Sequence, residues 1–476
     1  MIRINNMLDE AYKKWKNKNF IYEKNGQEFV PITYGEFIGK ANSLAYKLLD
    51  YGLKNNKILI YGKDSINYMI TDLAITAHVG ISVNINKQTK EEELSDIIKK
   101  IEIDALIFDK DNEQIIDNLK CKFPSIKFLC MQNEIDNLDF SDRLFEFEEK
   151  DIDQCSKIIF SSGTTSNPKG VMLSLRNMFH GWEPLQKRIP LCEDDIDYLF
   201  IPMHHTYGNV YNFLYSFLSG LSIYLCSGID KIQQELKEIN PTVFCGVPWI
   251  FEKIYNEDSE NFKYAFGNRI KYLVCGGAKF NPEIRKAYKD NNLPMFETYA
   301  LTEVASSFAI EYKNNDDFES GGTIFENIDV KIINEDNNGI GEIVVKGDNI
   351  FLGYANNEEL TKSVFTDDGY FITGDYGYIK DNKIYIEGRK NDIISGANGE
   401  NVYPKEIEKK LKEYSSDILR VQAFLKDTKV NYKIFIKEGA NINIEEIVKD
   451  YNSKVTNKDC IKFYEKIYSN NTSFKE

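Results

Sequence analysis

The densest run of chemically capable side chains in the sequence lies between Ser161 and Gly170. It follows the apolar run 158–160 and contains five hydroxyl side chains, two glycines and one lysine. Glycines let backbone N–H groups turn towards an anion, hydroxyls donate to phosphate oxygens, and Lys169 adds a positive charge. It is not a Walker A loop, because Lys169 precedes a glycine where that motif requires Gly-Lys-Ser/Thr. The stretch predicts a phosphate-binding loop, with a polar surface turn as the alternative.

The segments around this loop alternate between strand-like and helix-like patterns. Apolar runs of three to five residues are separated by helix-length segments such as the amphipathic stretch Gly35–Tyr51. This alternation is typical of βαβ units with buried parallel strands. The strand-like runs are 57–61, 81–85, 105–108, 157–160, 199–201 and 273–275.

The pattern changes near Val330, where short alternating strands with turn signals such as Asn337–Gly339 indicate an antiparallel or barrel-like piece. Beyond the polar run 388–392, a helix opened by Pro404 leads into an α+β unit. The sequence therefore predicts an α/β fold with a large N-terminal domain of βαβ subdomains, with parallel sheets plus the barrel-like β piece. A hinge and a small mobile α+β C-terminal domain follow, although a surface loop is the alternative for the hinge. The boundaries are 1–387, 388–392 and 393–476.

Composition narrows the classes of partner. The 476 residues carry 59 basic and 74 acidic side chains, a net charge of −15. This balance argues against a nucleic-acid binder, which needs clustered Lys and Arg, but it allows a small nucleotide held by a local set of donors. Eight cysteines form no CxxC pair and four histidines no HxxxH pair, so a structural zinc site is not expected.

The uncharged stretch Tyr198–Ile229 is the one segment that could suggest a membrane span. It is 32 residues long, but Pro202, Asn209 and several Gly and Ser residues interrupt it. A span needs about 20 consecutive apolar residues. We therefore predict a buried strand–helix–strand and no transmembrane segment. The start of the chain does not resemble a signal peptide, which favours a cytoplasmic protein with reduced thiols.

Five motifs, in one order along nearly the whole chain, resemble those of the adenylate-forming (AMP-binding) superfamily. This superfamily includes acyl-CoA synthetases, aryl-acid ligases, amino-acid adenylating domains and beetle-type luciferases. The phosphate loop is its signature, and Tyr299–Glu303 is similar to its Tyr-Gly-x-Thr-Glu motif. The remaining three motifs are 32–36, 370–375 and 388–394 continued by 398–404.

The resemblance implies a reaction in two steps. A carboxylate attacks the α-phosphate of ATP and pyrophosphate is released, and a thiol then captures the acyl group of the resulting acyl-adenylate. The resemblance implies Mg²⁺ held by Glu303, with Thr302 near the α-phosphate, and adenine stacked on Tyr299. An Asp after Gly and a Glu after Thr are, taken singly, ordinary turn and helix residues. The other implied nucleotide contacts are Ser161, Ser162, Gly163, Thr164, Thr165 and Lys169 for phosphates, Gly277, Ala278 and Glu297 for adenine, and Asp375 and Arg389 for ribose.

The resemblance also implies a lysine near the C-terminus that bridges the carboxylate and the α-phosphate. Lys475 matches this position, with a frayed terminal lysine as the alternative. Three residues depart from the family pattern: Phe474 replaces the usual glycine before this lysine, Ala300 replaces the glycine of the Thr-Glu motif, and Asn391 replaces the usual Asp or Lys of the hinge. None of them removes a charge that the chemistry requires.

The acid substrate is narrowed by the segment 201–209. It contains no acidic residue that could hold an ammonium group, so an α-amino acid is disfavoured. His205 matches the family's histidine beside the carboxylate, and Tyr207–Leu225 is interpreted as one wall of an apolar pocket. A fatty acyl substrate is weakly favoured over an aryl acid, because the Thr-x-Phe-Lys ending and Asn398–Asn401 resemble the long-chain branch.

The acceptor and the overall activity leave alternatives open. Coenzyme A and the phosphopantetheine arm of an acyl carrier protein end in the same thiol. A non-catalytic AMP-binding homologue would keep the fold but lose Glu303, Lys169 or Lys475, and all three are present. An adenylating enzyme with a different second step, or another α/β nucleotide-binding protein, is the remaining alternative.

Overall fold

The structure is a computed structural model. It describes residues 3–136, 138, 147–161, 168–311, 317–390, 394–395, 401–402, 404–426, 429–455 and 460–469. The chain divides into two compact units. The large unit comprises the residues up to Asp329 together with Lys346–Phe365, and the small unit comprises Val330–Val345 together with the residues from Thr366 onward.

The strands are numbered in chain order. They are β1 Asn19–Asn25, β2 Glu28–Thr33, β3 Lys57–Tyr61, β4 Ile81–Asn84, β5 Ala105–Phe108, β6 Lys127–Cys130, β7 Cys155–Ser161, β8 Lys169–Ser174, β9 Ile196–Leu199, β10 Ser222–Leu225, β11 Val243–Gly246, β12 Tyr272–Cys275, β13 Met295–Ala300, β14 Ser307–Ile310, β15 Thr323–Ile324, β16 Asp329–Ile333, β17 Gly341–Lys346, β18 Gly353–Tyr354, β19 Phe371–Lys380, β20 Lys383–Arg389, β21 Ile394–Ser395, β22 Asn401–Val402, β23 Ile418–Lys426, β24 Lys429–Lys437 and β25 Tyr464–Ser469.

The α-helices of the described residues are numbered in the same way, and the π-helices and 3₁₀-helices are given by range. They are α1 Ile4–Trp15, α2 Tyr34–Asp50, α3 Ile66–Ala74, α4 Glu91–Ile101, α5 Glu113–Lys122, α6 Met131–Ile135, α7 Leu175–His180, α8 Trp182–Arg188, α9 Tyr215–Ser219, α10 Ile232–Ile239, α11 Pro248–Glu257, α12 Pro282–Asp290, α13 Glu358–Ser363, α14 Pro404–Lys412 and α15 Ile444–Lys454, with π-helices at Ile75–Val79 and Tyr207–Leu214 and 3₁₀-helices at Lys110–Asn112, Ile229–Lys231, Phe262–Tyr264 and Thr302–Val304.

Two mixed sheets form the large unit. One has the strand order β18-β8-β7-β4-β3-β5-β6, in which β7 to β6 run parallel and β8 and β18 run antiparallel. The other has the order β15-β14-β13-β12-β11-β9-β10-β1-β2, parallel from β13 to β1 and antiparallel at both ends. These parallel strands confirm the predicted α/β class.

Each of these sheets has its own apolar core. The first core packs strand residues such as Leu59 and Leu106 against α4 and α5. The second packs residues such as Phe244 and Leu273 against α10, α11 and α12. Each buried apolar side chain contributes about 1.5–3 kcal/mol relative to exposure, so the cores fix both sheets and the loops at their edges.

The small unit contains the antiparallel neighbours β17, β19 and β20, with β16 beside β17, which agrees with the predicted change of pattern near Val330. It also contains the three-stranded sheet β23-β24-β25, covered by α14 and α15 around Ile434 and Leu411. The unit boundary by contacts includes 330–345 and 366–387 with the C-terminal part, whereas the predicted hinge begins at residue 388. That hinge stays a prediction.

The uncharged stretch 198–229 folds as predicted, as a strand, helices and a strand. It spans β9, the π-helix Tyr207–Leu214, α9 and β10, and most of its residues are buried. Within the described ranges, no helix is both long and apolar enough to cross a bilayer.

Candidate active site

The predicted phosphate loop is the connection between two hydrogen-bonded strands. Ser161 ends β7, Lys169 begins β8, and the two residues are paired in register. The buried residues Ile158 and Ile159 anchor β7. The hairpin therefore holds the two ends of the loop side by side, while Ser162, Gly163, Thr164 and Thr165 lie outside the described residues.

A tyrosine links the loop's lysine to the predicted metal-binding carboxylate. The Lys169 ammonium lies 5.3 Å from the centre of the Tyr354 ring. The Tyr354 hydroxyl donates to Glu303 Oε1 at 2.9 Å. Burial and the Glu303 charge raise the pKa of Tyr354, so its hydroxyl keeps the proton that it donates. The structure thus brings a cation over the ring of Tyr354 and a carboxylate to its hydroxyl, next to the loop.

Glu303 and Thr302 lie in the 3₁₀-helix Thr302–Val304, directly after β13 and a connecting leucine. The backbone there is held by two hydrogen bonds, from Phe351 N to Glu303 O at 2.9 Å and from Ala305 N to Thr302 O at 3.1 Å. Both side chains are half-buried. Glu303 is therefore fixed yet reachable by a ligand at the carboxyl end of β13.

The predicted adenine contacts gather at the carboxyl ends of β12 and β13, which are parallel neighbours. Gly277 and Ala278 follow β12 and are exposed. Gly277 has φ +87°, a left-handed conformation that favours glycine. Tyr299 lies on β13 with its ring 4.7 Å from that of Phe308. Ligands of open α/β sheets bind at such strand ends.

Glu297 has a structural environment that the sequence did not indicate. Its Oε2 accepts from Arg285 Nη1 at 2.5 Å, and its Oε1 accepts from Phe280 N at 3.3 Å. Arg285 also pairs with Glu311. Burial raises the pKa of Glu297 to about 7, against the lowering effect of Arg285. The proposed contact of Glu297 with adenine stays a prediction beside this buried ion pair.

His205 lies in the turn between β9 and the π-helix Tyr207–Leu214. Its ring centre is 4.2 Å from that of His204. The backbone N–H of His205 donates to Pro202 O at 3.1 Å. Burial lowers the pKa of His205, so the imidazole is neutral at pH 7. A neutral histidine can donate one hydrogen bond to a carboxylate without forming a fixed ion pair.

Asp375 and Arg389, the predicted ribose contacts, meet within the small unit. They are register partners on β19 and β20, and Arg389 Nε lies 2.9 Å from Asp375 Oδ1. The buried Asp375 side chain is further placed by the bond from its own N–H to Thr373 Oγ1 at 3.0 Å. Lys475 and its neighbour Phe474, and the hinge residue Asn391, lie outside the described residues.

Tyr354 is the site residue that sequence reasoning missed. It is 185 residues from Lys169 and 51 from Glu303, and no local pattern around it suggests a site. Its position depends on the pairing of β18 with β8, in which Tyr354 is opposite Val171. Only the folded sheet brings these residues together.

Comparison with known proteins places this geometry in context. The family model described as AMP-binding enzyme matches residues 8–355. The long-chain-fatty-acid–CoA ligase ACSBG2 of Rattus norvegicus is 22% identical over 486 aligned residues, covering 86% of this chain and 73% of the relative. The long-chain-fatty-acid–CoA ligase FadD15 of Mycobacterium bovis is 24% identical over 450, covering 80% and 73%.

Solved structures share the fold at low identity. ATP-bound MatB from Rhodopseudomonas palustris has a TM-score of 0.86 at 22% identity, covering 99% of this chain and 95% of that one. The o-succinylbenzoate CoA synthetase MenE of Bacillus subtilis, in complex with its acyl-adenylate intermediate, has a TM-score of 0.82 at 17% identity, covering 99% and 96%. These likenesses confirm the fold along nearly the whole chain.

Proposed function

The chain belongs to the AMP-binding enzyme family, and we propose that it is a carboxylate–thiol ligase that joins an acid to a pantetheine thiol at the cost of ATP. In the first step a carboxylate oxygen of the acid attacks the α-phosphorus, and the bond from that phosphorus to the leaving pyrophosphate breaks. In the second step the thiol sulfur attacks the acyl carbonyl, and AMP leaves. The observation that carries this proposal is the Lys169–Tyr354–Glu303 arrangement beside the phosphate loop.

The first step brings one anion to a polyanion, so charge neutralisation and positioning must supply most of the rate enhancement. Lys169 offers a positive charge at the end of the loop, and Glu303 offers a hard oxygen ligand for the Mg²⁺ of Mg-ATP. Across the described ranges, no group of three or more His, Cys, Asp or Glu side chains could hold a metal ion. Glu303, together with phosphate oxygens of the nucleotide, would hold the Mg²⁺, and the ion would supply positive charge towards the leaving pyrophosphate.

The remaining roles stay proposals from the resemblance. Tyr299, with Gly277 and Ala278, contacts adenine, while Asp375 and Arg389 contact ribose. Thr302 and Lys475 act at the α-phosphate, and the neutral His205 donates to the acid's carboxylate.

For the substrate we propose a fatty acid, and coenzyme A as the acceptor. The relatives named above are long-chain-fatty-acid–CoA ligases, and the residues 201–209 offer no carboxylate for an ammonium group. An aryl acid is the second choice for the substrate. The phosphopantetheine arm of a carrier protein is the second choice for the acceptor, since its thiol is chemically the same.

The test is pyrophosphate release from Mg-ATP across a panel of fatty, aryl and amino acids, with and without coenzyme A or a phosphopantetheinylated carrier protein. We expect release with fatty acids, and thioester formation with coenzyme A. Lys475→Ala should reduce release by about 10²-fold or more, whereas Lys462→Ala, an exposed lysine of the small unit, should not. Silence across the panel would contradict the proposal, and equal release by Lys475→Ala would contradict the role of that lysine.

A further inference from the structure

An ion pair is completely enclosed in the large unit. Asp72 on α3 and Lys157 on β7 have side chains that are 4% and 2% exposed. Lys157 Nζ lies 2.6 Å from Asp72 Oδ1 and 2.5 Å from Oδ2. Burial by itself raises the pKa of Asp72, but the ammonium outweighs it and holds this pKa below its usual value. The carboxylate is therefore ionised at neutral pH.

Three further side chains donate to the same carboxylate. Ser82 Oγ and Asn84 Nδ2, both on β4, donate to Asp72 Oδ1 at 2.6 and 3.0 Å. Asn209 Nδ2, on the π-helix Tyr207–Leu214, donates to Oδ2 at 3.1 Å. Charge-assisted bonds of this kind are short and directional, so the carboxylate fixes the positions of several elements at once.

A gain in the free energy of unfolding does not readily explain why an ion pair is buried here. Replacing a buried ion pair by apolar residues of similar volume is often neutral or stabilising, because the charges lose their hydration. An apolar contact fills space equally well but does not define direction. The pair therefore calls for an explanation in terms of what it orients.

Its two arms lead to the two groups that are proposed to hold the reactants of the first step. Lys157 lies four residues before Ser161 on the same strand, so it is fixed to the start of the phosphate loop. Asn209 lies four residues after His205, and its N–H donates to His205 O at 2.9 Å. The Asn209 side chain also donates to Met203 O at 3.1 Å. Asp72 accepts hydrogen bonds from both arms.

We propose that Asp72, Lys157 and Asn209 are positioning residues, which set the His205 turn relative to the phosphate loop. This inference rests on the proposed function, in which His205 holds the acid's carboxylate and the loop holds the phosphates. The separation of the two reacting anions is then set by a buried network behind them. The π-helix fits this role, because such segments are frequent at functional sites.

The experiment removes both charges together. Asp72→Asn combined with Lys157→Met keeps the volume and leaves no unpaired charge. We expect its melting temperature to stay within about 5 °C of wild type. We expect kcat for acid-dependent ATP–pyrophosphate exchange to fall at least about tenfold, with KM for ATP within about twofold, because misplacement acts on the reacting geometry.

A mutant cycle that adds Asn209→Ala tests whether the loss of kcat is transmitted through Asn209. Asn209→Ala alone should lower kcat in the same way, and added to the double variant it should give little further loss, since both changes cut one connection. Hydrogen exchange of the peptide covering 201–214 should become faster in each variant. Unchanged kcat, unchanged exchange of that peptide, or losses that simply multiply would overturn the proposal.

A control is the pair Asp195–Lys271, at 2.7 Å, in which the carboxylate is buried and the lysine side chain is 48% exposed. It lies at the amino ends of β9 and β12, whereas the His205 turn follows the carboxyl end of β9. Asp195→Asn with Lys271→Met should leave kcat within about twofold. If the wild-type protein showed no acid-dependent ATP–pyrophosphate exchange, the proposed function itself would be contradicted. This outcome is distinct from a failure of the positioning proposal, which requires an active wild type. An equal fall of kcat in the control pair would contradict a specific role for Asp72.

Discussion

Glu303 shows how the fold orients the side chain of a proposed metal ligand. Its carboxylate accepts the Tyr354 hydroxyl at 2.9 Å, and its backbone is tied to Phe351. The side chain is thereby oriented before any ligand arrives, which reduces the entropy lost when a metal–nucleotide complex binds. The chemistry expected of Glu303 is coordination of Mg²⁺, and this depends on its negative charge.

Glu303→Gln should therefore weaken the response to Mg²⁺ more than the binding of nucleotide. The amide keeps the bond to Tyr354 but loses the charge that a hard cation prefers. We expect pyrophosphate release to fall about 10²-fold and the Mg²⁺ concentration for half-maximal rate to rise. The measurement is a Mg²⁺ titration of initial rates. Glu359→Gln, at an exposed glutamate of the same unit, is the control, and an unchanged titration for Glu303→Gln would refute its role.

Asp197 is a buried carboxyl whose side-chain donors within the described residues are uncharged. Ser216 Oγ donates to its Oδ2 at 3.0 Å, Asn212 donates to the same oxygen, and within the described structure Oδ1 lacks a partner. Burial raises the pKa of Asp197 to about 7. The folded protein therefore holds this proton more tightly than the unfolded chain does.

The free energy of unfolding should consequently fall as pH rises from about 4 to about 7, and this contribution then stays constant. A shift of about three pH units corresponds to about 4 kcal/mol. Asp197→Asn cannot ionise, so its stability relative to wild type should grow over this range. Urea unfolding of both proteins at pH 5 and pH 8 measures the difference. If the difference in free energy of unfolding between the two proteins were the same at pH 5 and pH 8, Asp197 would not titrate in this way.

At this scale the sequence singled out residues that stand in motifs, whose roles stay proposals, and it missed their buried partners. Lys169 and Glu303 stand in recognisable motifs, and the structure brings both to Tyr354. Tyr354 and Asp72 carry no such signal, because their contacts are formed across 185 and 85 residues of chain. Hydrophobic periodicity reports which face of an element is buried, but not which distant polar group it meets.

The π-helix Tyr207–Leu214 is the element on which the placement of His205 depends. Sequence patterning predicted a helix between two strands in 198–229, and this is confirmed. It did not predict the π winding, which accompanies long-range contacts such as Asn209 to Asp72. Gly208 marks how closely the element packs, because a Cβ there would lie 2.3 Å from Pro202 O.

Gly208→Ala should therefore disturb the turn that carries His205. The added methyl group meets backbone oxygens, which cannot move away as a flexible side chain could. We expect a loss of about 1–3 kcal/mol in the free energy of unfolding, together with a lower kcat for pyrophosphate release. Gly388→Ala, where a Cβ meets nothing within 4 Å, is the control in the same unfolding assay. Equal stability of the two variants would contradict the close packing at Gly208.

At the scale of the whole molecule, the sequence predicted a large and a small unit joined by a hinge at 388–392, and this division stays a prediction. The predicted hinge is the polar run that begins at residue 388, whereas contacts assign 330–345 and the residues from 366 onward to one unit. Antiparallel pairing of β17 with β19 accounts for this, since it joins segments on both sides of 346–365. The intervening segment returns to the large unit, where β18 pairs with β8. Such an excursion of the chain has no signature in composition.

Separate cores lead to a prediction about unfolding. Leu273 and Ile434 are both completely buried, the first in a core of the large unit and the second in the core of the small unit. Substitution of either by alanine should cost about 2–5 kcal/mol. We expect differential scanning calorimetry of wild type to show more than one transition, as multidomain proteins do, and each variant to lower a different one.

The decreases in melting temperature caused by the two substitutions should also differ in size. A given loss of free energy lowers the melting temperature by that loss divided by the entropy of unfolding, which grows with the number of residues that unfold together. Ile434→Ala should therefore shift the transition of the small unit by roughly 10 °C, and Leu273→Ala that of the large unit by roughly 4 °C. A single transition lowered by the same amount in both variants would show that the two cores unfold as one, and would mean that the division by contacts has no thermodynamic counterpart.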